Sequence, residues 1–235
     1  MSSPRGEARR HRATEADLTT RARIRRAAIA RFGRDGFDAN LRAIAADAGV
    51  TAPAIIKIFG SKDGLHAACD AHVFEIIREN KSAVVGGANP PGALLTQMAR
   101  AAEYRPMILY VLRSFQAGGD TARAFVEHMT DDALAYMAEG VASGLIVPSR
   151  DERGRIRFLV GATLGNLLLE VLYAPDSDAV DSEAFWDAAL QRLGLAGLEL
   201  YTEGLLTDHS MLDKYLLYIS DPPMDAASAT ASTTD

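Results

Sequence analysis

Apolar positions recur along this chain at helical rather than strand spacing. Ile24, Ala28 and Phe32, with Ala27 and Arg31 beside them, mark the inner face of a helix over 18–36. Leu41, Ile44, Ala45 and Ala48 mark a second helix over 41–48, and Val50, Ala54, Ile55 and Ile58 a third over 51–58. A fourth is expected from 62 to about 81. The stretch 84–92 (VVGGANPPG) then interrupts the pattern with glycines and prolines, as a linker does. Beyond it the spacing predicts helices over 93–103, 106–117, about 121–143, 156–173, 182–206 and 210–219. The run MILYVL (107–112) has the length of a buried strand, but a lone strand has no partner, so it is read as helix. The prediction is an all-α protein of about nine to ten helices. It has a basic disordered arm at 1–16, a small N-terminal unit at 17–81, a helical bundle at 90–220 and a disordered, low-complexity tail at 221–235.

The two short helices carry the most specific signal. Gly49 stands where a helix C-terminus takes positive φ. Thr51 stands where the next helix needs an N-cap, and Pro53 falls in its first turn, where a missing N–H costs nothing. Asn40 or Asp38 can cap the helix before, and Ser61 the helix after. Two helices of about two turns, joined through a glycine, form the helix-turn-helix pattern, whose second helix enters a DNA major groove.

Net charge is −6, which taken alone argues against nucleic acid, but its distribution argues for it. From Met1 to His66 there are thirteen Lys/Arg and seven Asp/Glu, a net of +6, and the rest carries −12. Arg5, Arg9, Arg10 and Arg12 give the arm its charge: a solvated tail in the free protein, and a candidate minor-groove arm on DNA. There is no apolar run long enough to span a membrane, and no apolar segment follows the basic N-terminus as in a secretory signal. The single cysteine, Cys69, excludes an intrachain disulfide framework and fits a cytoplasmic location.

The unbroken series Ile24-x-x-Ala27-Ala28-x-x-x-Phe32, Gly36-Phe37, Leu41-Arg42-x-Ile44-Ala45, Ala48-Gly49-Val50-Thr51, Ile55, Phe59-x-Ser61-Lys62 and Leu65 resembles the DNA-binding domain of the TetR/AcrR family of bacterial transcriptional regulators. The resemblance implies an N-terminal three-helix reading unit and a C-terminal domain that dimerises and often binds a small effector. Carried over by position, it implies DNA contacts from Arg42, Thr51, Ala52, Ala54, Ile56, Lys57, Ile58 and Lys62. An arginine at position 42 can fork onto a guanine edge, and Lys62 with the free N–H groups of its helix can hold a phosphate. The family usually has an aromatic residue where Ile56 stands, and frequently a polar one where Ile58 stands. The reading helix is therefore unusually apolar. Ile, Ala and Pro pack on thymine methyls but make no bidentate contacts. The plainer alternative places Ile56 and Ile58 partly in the core, or against another protein.

The resemblance also implies a homodimer through helices 156–173 and 182–206. Gly161 and Gly165 would permit close approach, with Leu164, Leu167, Leu168, Val171 and Leu172 facing Phe185, Ala189, Leu193, Ala196, Leu200 and Leu205. An apolar effector is expected among Met98, Tyr104, Met107, Tyr110, Phe115, Met129, Tyr136 and Met137, although each suits a simple core as well. Asn166 and Glu170 are polar on an apolar helix and need a partner: a ligand, a water or the other subunit. His66, Cys69 and Asp70 have the spacing of metal ligands but lack a second ligand cluster, so no metal or other cofactor is expected. No catalytic motif is present: no G-x-S-x-G, H-E-x-x-H, P-loop or dinucleotide fingerprint. The expectation is a non-enzymatic repressor that binds palindromic operator DNA as a homodimer and is released by a small molecule. A carrier or enzyme with an accessory helical domain, or a regulator working through protein contacts, stands as the alternative.

Overall fold

The structure, a computed structural model, describes residues 4–176 and 179–219, with 4–18 and 101–102 described as backbone alone. The expected tail at 221–235 lies outside the described residues. The described residues are all-helical: α1 Pro4–Asp35, α2 Leu41–Ala48, α3 Ala52–Phe59, α4 Lys62–Val85, α5 Pro90–Ala99, α6 Arg105–Gln116, α7 Gly119–Ala142, α8 Glu152–Leu172, α9 Glu183–Glu203 and α10 Ser210–Tyr218. Short 3-10 turns at Ala101–Tyr104 and Ala179–Asp181 complete the path.

Several boundaries depart from the pattern: α4, expected to end near 81, runs on to Val85, and α8, expected from 156, begins at Glu152 with Asp151 as its cap. From Pro4 onward the arm is helical and continuous with α1, because its Ala, Arg and Glu residues favour helix and Pro4 suits a first turn. The helix expected at 93–103 begins earlier, at Pro90 inside the linker, with Asn89 Oδ1 accepting from Gly92 N at 3.2 Å. It then tightens to a 3-10 turn at Ala101. The long helix over 182–206 stops at Glu203, because Gly204 takes φ +79°. That leaves Leu205 off the helical stripe expected to carry it.

A single buried cluster joins the N-terminal helices to α6, α7 and α8. Ile24, Ala28 and Phe32 of α1 meet Ile44 and Ala45 of α2, Ile55 and Phe59 of α3, and Leu65, Cys69 and Val73 of α4. The same cluster continues through Tyr110 and Val111 of α6 and Phe125 and Ala133 of α7 to Ile156, Val160 and Leu164 of α8. Gly33 makes this continuity possible. A Cβ there would sit 3.0 Å from Tyr110 N and 3.1 Å from Pro106 O, so α6 lies on α1 too closely for a side chain to enter without a shift. Arg113 fastens the contact by donating to the carbonyls of Gly33 and Arg34, each at 3.2 Å. In α9, Trp186 is buried and donates through Nε1 to Val180 O at 2.8 Å.

Candidate nucleic-acid interface and an arginine-lined cleft

The helix-turn-helix is built from local bonds. Asn40 Oδ1 accepts from Arg42 N at 2.9 Å and caps α2. Gly49 at φ +63° ends α2 in the left-handed region, with Val50 N donating to Ala45 O at 2.9 Å. Ser61 Oγ accepts from Gly64 N at 2.9 Å and caps α4. Thr51 occupies the cap position of α3 in extended geometry, but its side chain makes no capping bond.

Arginines of α1 set the pose of this unit. Arg31 grips Asp47 of α2 in a fork, with Nη2 at 2.6 and 2.8 Å and Nε at 2.9 Å, and also reaches Asp35 at 3.0 Å. The fork raises the Arg31 pKa, and the bond from Arg31 draws the Asp35 carboxyl below its ordinary value. At the other end, Arg21 donates to Ile58 O at 3.1 Å, and its guanidinium lies 4.5 Å over the Phe59 ring. Hydrophobic periodicity gives no sign of either clamp, since partners far apart in sequence share no pattern.

The expected contact residues divide by exposure. Arg42, Thr51, Ile56 and Lys57 are exposed, and Lys62 is half-buried in the first turn of α4. Ala52, Ala54 and Ile58 are half-buried, and Ala52 and Ile58 pack on the core. The outward face of α3 is thus Thr51, Pro53, Ile56 and Lys57.

The residues expected around an effector do not converge on one cavity among the described residues. Tyr104 and Met107 line a cleft of about 680 Å³ between α1, α4 and the start of α6. Tyr110 is fully buried, with its hydroxyl on Asp70 Oδ1 at 2.6 Å. Phe115 is exposed, and Met129, Tyr136 and Met137 pack on the core from α7. Met98 lies beside Gly194 of α9. Asn166 is exposed, so burial makes no demand on it, and Glu170 pairs with Arg192 across α8 and α9. These residues share a type but not a place, and most of their apolar faces are taken up by helix-on-helix packing.

The cleft has walls of two kinds. Ile29, Val73, Ile76 and Met107 are apolar, whereas Arg23, Arg25 and Arg26 are cationic. Tyr104 at its rim donates to Asn80 Oδ1 at 3.2 Å. Nearby, Cys69 Sγ faces Arg25 O at 3.9 Å while Asp70 faces Tyr110, so these two do not point at a common centre. Burial pushes the Cys69 thiol up to about 12.

Residues 24–69 match the family described as "Bacterial regulatory proteins, tetR family", and residues 102–207 match "Tetracyclin repressor-like, C-terminal domain". The chain is 45% identical over 201 residues to the HTH-type transcriptional regulatory protein RaaS of Mycobacterium tuberculosis H37Rv, covering 86% of this chain and 93% of that protein. A crystal structure of a TetR-family transcriptional regulator from Mesorhizobium loti MAFF303099 aligns over 76% of this chain and 97% of its own, at 19% identity and a TM-score of 0.46. With a helix-turn-helix clamped to α1 and nearly the full length of a curated regulator matched, the chain belongs to the TetR family of transcriptional regulators.

Proposed function

We propose that this protein is a homodimeric repressor that docks on palindromic operator DNA and is released by a small-molecule effector, acting in the cytoplasm by binding and not by catalysis. The observation that carries this reading is the outward face of the helix-turn-helix. Arg42, Thr51, Ile56 and Lys57 stand free on it, with Lys62 at the N-terminus of α4. In this reading residues 17–81 form the DNA-reading unit and 90–220 the effector and dimer domain.

Homodimerisation is supported by the apolar surface that α8 and α9 leave uncovered. Leu169, Leu172, Leu195, Leu198 and Leu200 are all exposed. Outside their own helix backbone, no atom of the described residues lies within 4 Å of a Cβ built at Gly161 or Gly165, so the described residues leave the notch they make unfilled. A twin related by a two-fold axis would bury the face and present two reading helices about one DNA turn, ~34 Å, apart.

The test is a salt-titrated binding assay on DNA fragments selected by the protein itself. Wild-type affinity should fall steeply with salt, and Arg42→Ala and Lys62→Ala should each reduce the slope by about one if each holds a phosphate. Shallow salt dependence, or two variants indistinguishable from wild type, would refute the DNA-docking reading. Leu172→Asp with Leu198→Asp should leave a folded monomer in sedimentation, with operator affinity lost.

A further inference from the structure

We propose that the cleft between α1, α4 and the start of α6 is a binding site for an amphipathic anion, a molecule with an apolar body and one carboxylate or phosphate. The binding claim stands on the cleft itself. Its consequence for DNA rests on the effector reading above.

Size is the first argument. About 680 Å³ lies within the range of small-molecule sites, against about 320 Å³ for the cleft on the other side of Arg23 and Arg26. Composition is the second. Ile29, Ile76 and Met107 offer an apolar floor of the kind that holds a hydrocarbon or ring system, and Met107 is an adaptable filler.

Charge is the third argument, and it decides the ligand class. Arg23, Arg25 and Arg26 line the cleft without an ion-pair partner among the described residues. Arg25 is half-buried, and its Nε is fully shielded yet meets no acceptor. A shielded donor without an acceptor costs free energy that an anionic ligand would recover. The other arginines of α1 whose side chains are described are already committed: Arg21 to α3, Arg31 to Asp47, and Arg34 to Asp35. Glu103 is the one carboxylate lining the cleft, and Arg100 holds it at 2.7 Å, so it does not neutralise the three guanidiniums. A neutral apolar ligand would leave the shielded Arg25 Nε without an acceptor, and a cation would be repelled by the three guanidiniums.

Position supplies the consequence. One wall is α1, which carries the clamps on α2 and α3, and the opposite wall is the 3-10 turn and α6. A ligand between them changes how α1 sits on α6, and α1 positions the reading helix.

The test uses the full-length protein and two fluorescent probes of nearly the same body. One is 1-anilinonaphthalene-8-sulfonate, whose sulfonate stands in for carboxylate or phosphate. The other is uncharged N-phenyl-1-naphthylamine. The anion should bind more tightly, by on the order of tenfold, and Arg23→Gln with Arg26→Gln, or Arg25→Gln alone, should remove that preference. Ala22→Trp, which fills the cleft from an exposed position on α1, should weaken both probes. Hydrogen exchange with bound anion should show protection in 19–29 and 103–107. Equal affinity for the two probes, an anion preference that survives the arginine variants, or protection confined to 183–218 would overturn the proposal. Competition by octanoate against octyl phosphate tells which head group the site takes. An anion that protects the cleft and leaves DNA affinity unchanged supports the site and sinks its effector role. DNA release accompanied by protection only elsewhere sinks the site and leaves the effector reading standing.

Discussion

Tyr110 Oη donates to Asp70 Oδ1 at 2.6 Å, a bond that ties α6 to α4 inside the shared core. Phe32, Phe37 and His66 pack around the Tyr110 ring, with Phe37 edge-on at 5.6 Å. Tyr110→Phe keeps the ring and leaves Asp70 without its donor. The expected cost is about 1–3 kcal/mol in urea unfolding. Asp70→Asn keeps an acceptor and should cost much less.

The same pair gives a signed pH dependence. Burial raises the Asp70 pKa above its ordinary 3.8, against the opposing pull of the Tyr110 bond. The folded state therefore holds this proton where the unfolded chain has released it. Stability contributed by Asp70 falls as pH rises from the ordinary value to the raised one, then stays level. Carboxylates such as Asp35, whose pKa is lowered, act in the opposite sense. The clean measurement is the difference in unfolding free energy between Asp70→Asn and wild type. It should shift toward the variant over that window, and a flat difference from pH 3.5 to 7 would contradict the burial argument.

Gly33 is predicted to tolerate alanine but nothing larger. Alanine gains about 1 kcal/mol in helix propensity but places its Cβ against α6, so the two effects nearly cancel. Valine adds bulk that neither backbone can admit and should cost about 1–3 kcal/mol. Urea unfolding of Gly33→Ala and Gly33→Val checks the contrast.

Cys69 should be chemically silent in the folded protein. With its pKa near 12, only about one thiol in ten thousand is ionised at pH 8, and the side chain is buried. A thiol reagent should label it at the rate of unfolding and immediately in denaturant. Fast native labelling would show that α1 opens away from α4. Above pH 9 the unfolded chain releases this proton while the folded protein keeps it, so stability should decline there.

Ile56 is the exposed apolar side chain of the reading helix and should favour a thymine methyl in the half-site. Replacing thymine by deoxyuridine opposite it should cost about 0.8 kcal/mol, the worth of one buried methyl. In Ile56→Ala the same swap should be nearly silent, which a two-by-two binding table would show.

Legibility in the sequence followed the range of the interaction. The helix-turn-helix was readable because caps, turn glycine and apolar spacing lie within a few residues of one another, as at Asn40, Gly49 and Ser61. Gly33 reads along the chain as an ordinary helical glycine, and its role exists only once α6 arrives. The Arg31–Asp47 clamp and the cleft over Arg25 likewise arise from packing between distant segments. Asn166 and Glu170 read as buried polar groups in need of a ligand, a water or the other subunit because their neighbours are apolar, yet α8 keeps much of that apolar side uncovered.

The uninterrupted core has a thermodynamic corollary. A reading unit mounted on a flexible joint would melt by itself, leaving a folded body behind. Here Phe32 and Tyr110 belong to one buried cluster with Leu164, so head and body share their cooperativity. Substitutions deep in α8, remote from any base pair, should therefore lower the melting temperature of α3 as much as that of α8. The fraction of molecules able to read DNA is then set by the stability of the whole core from α1 to α8.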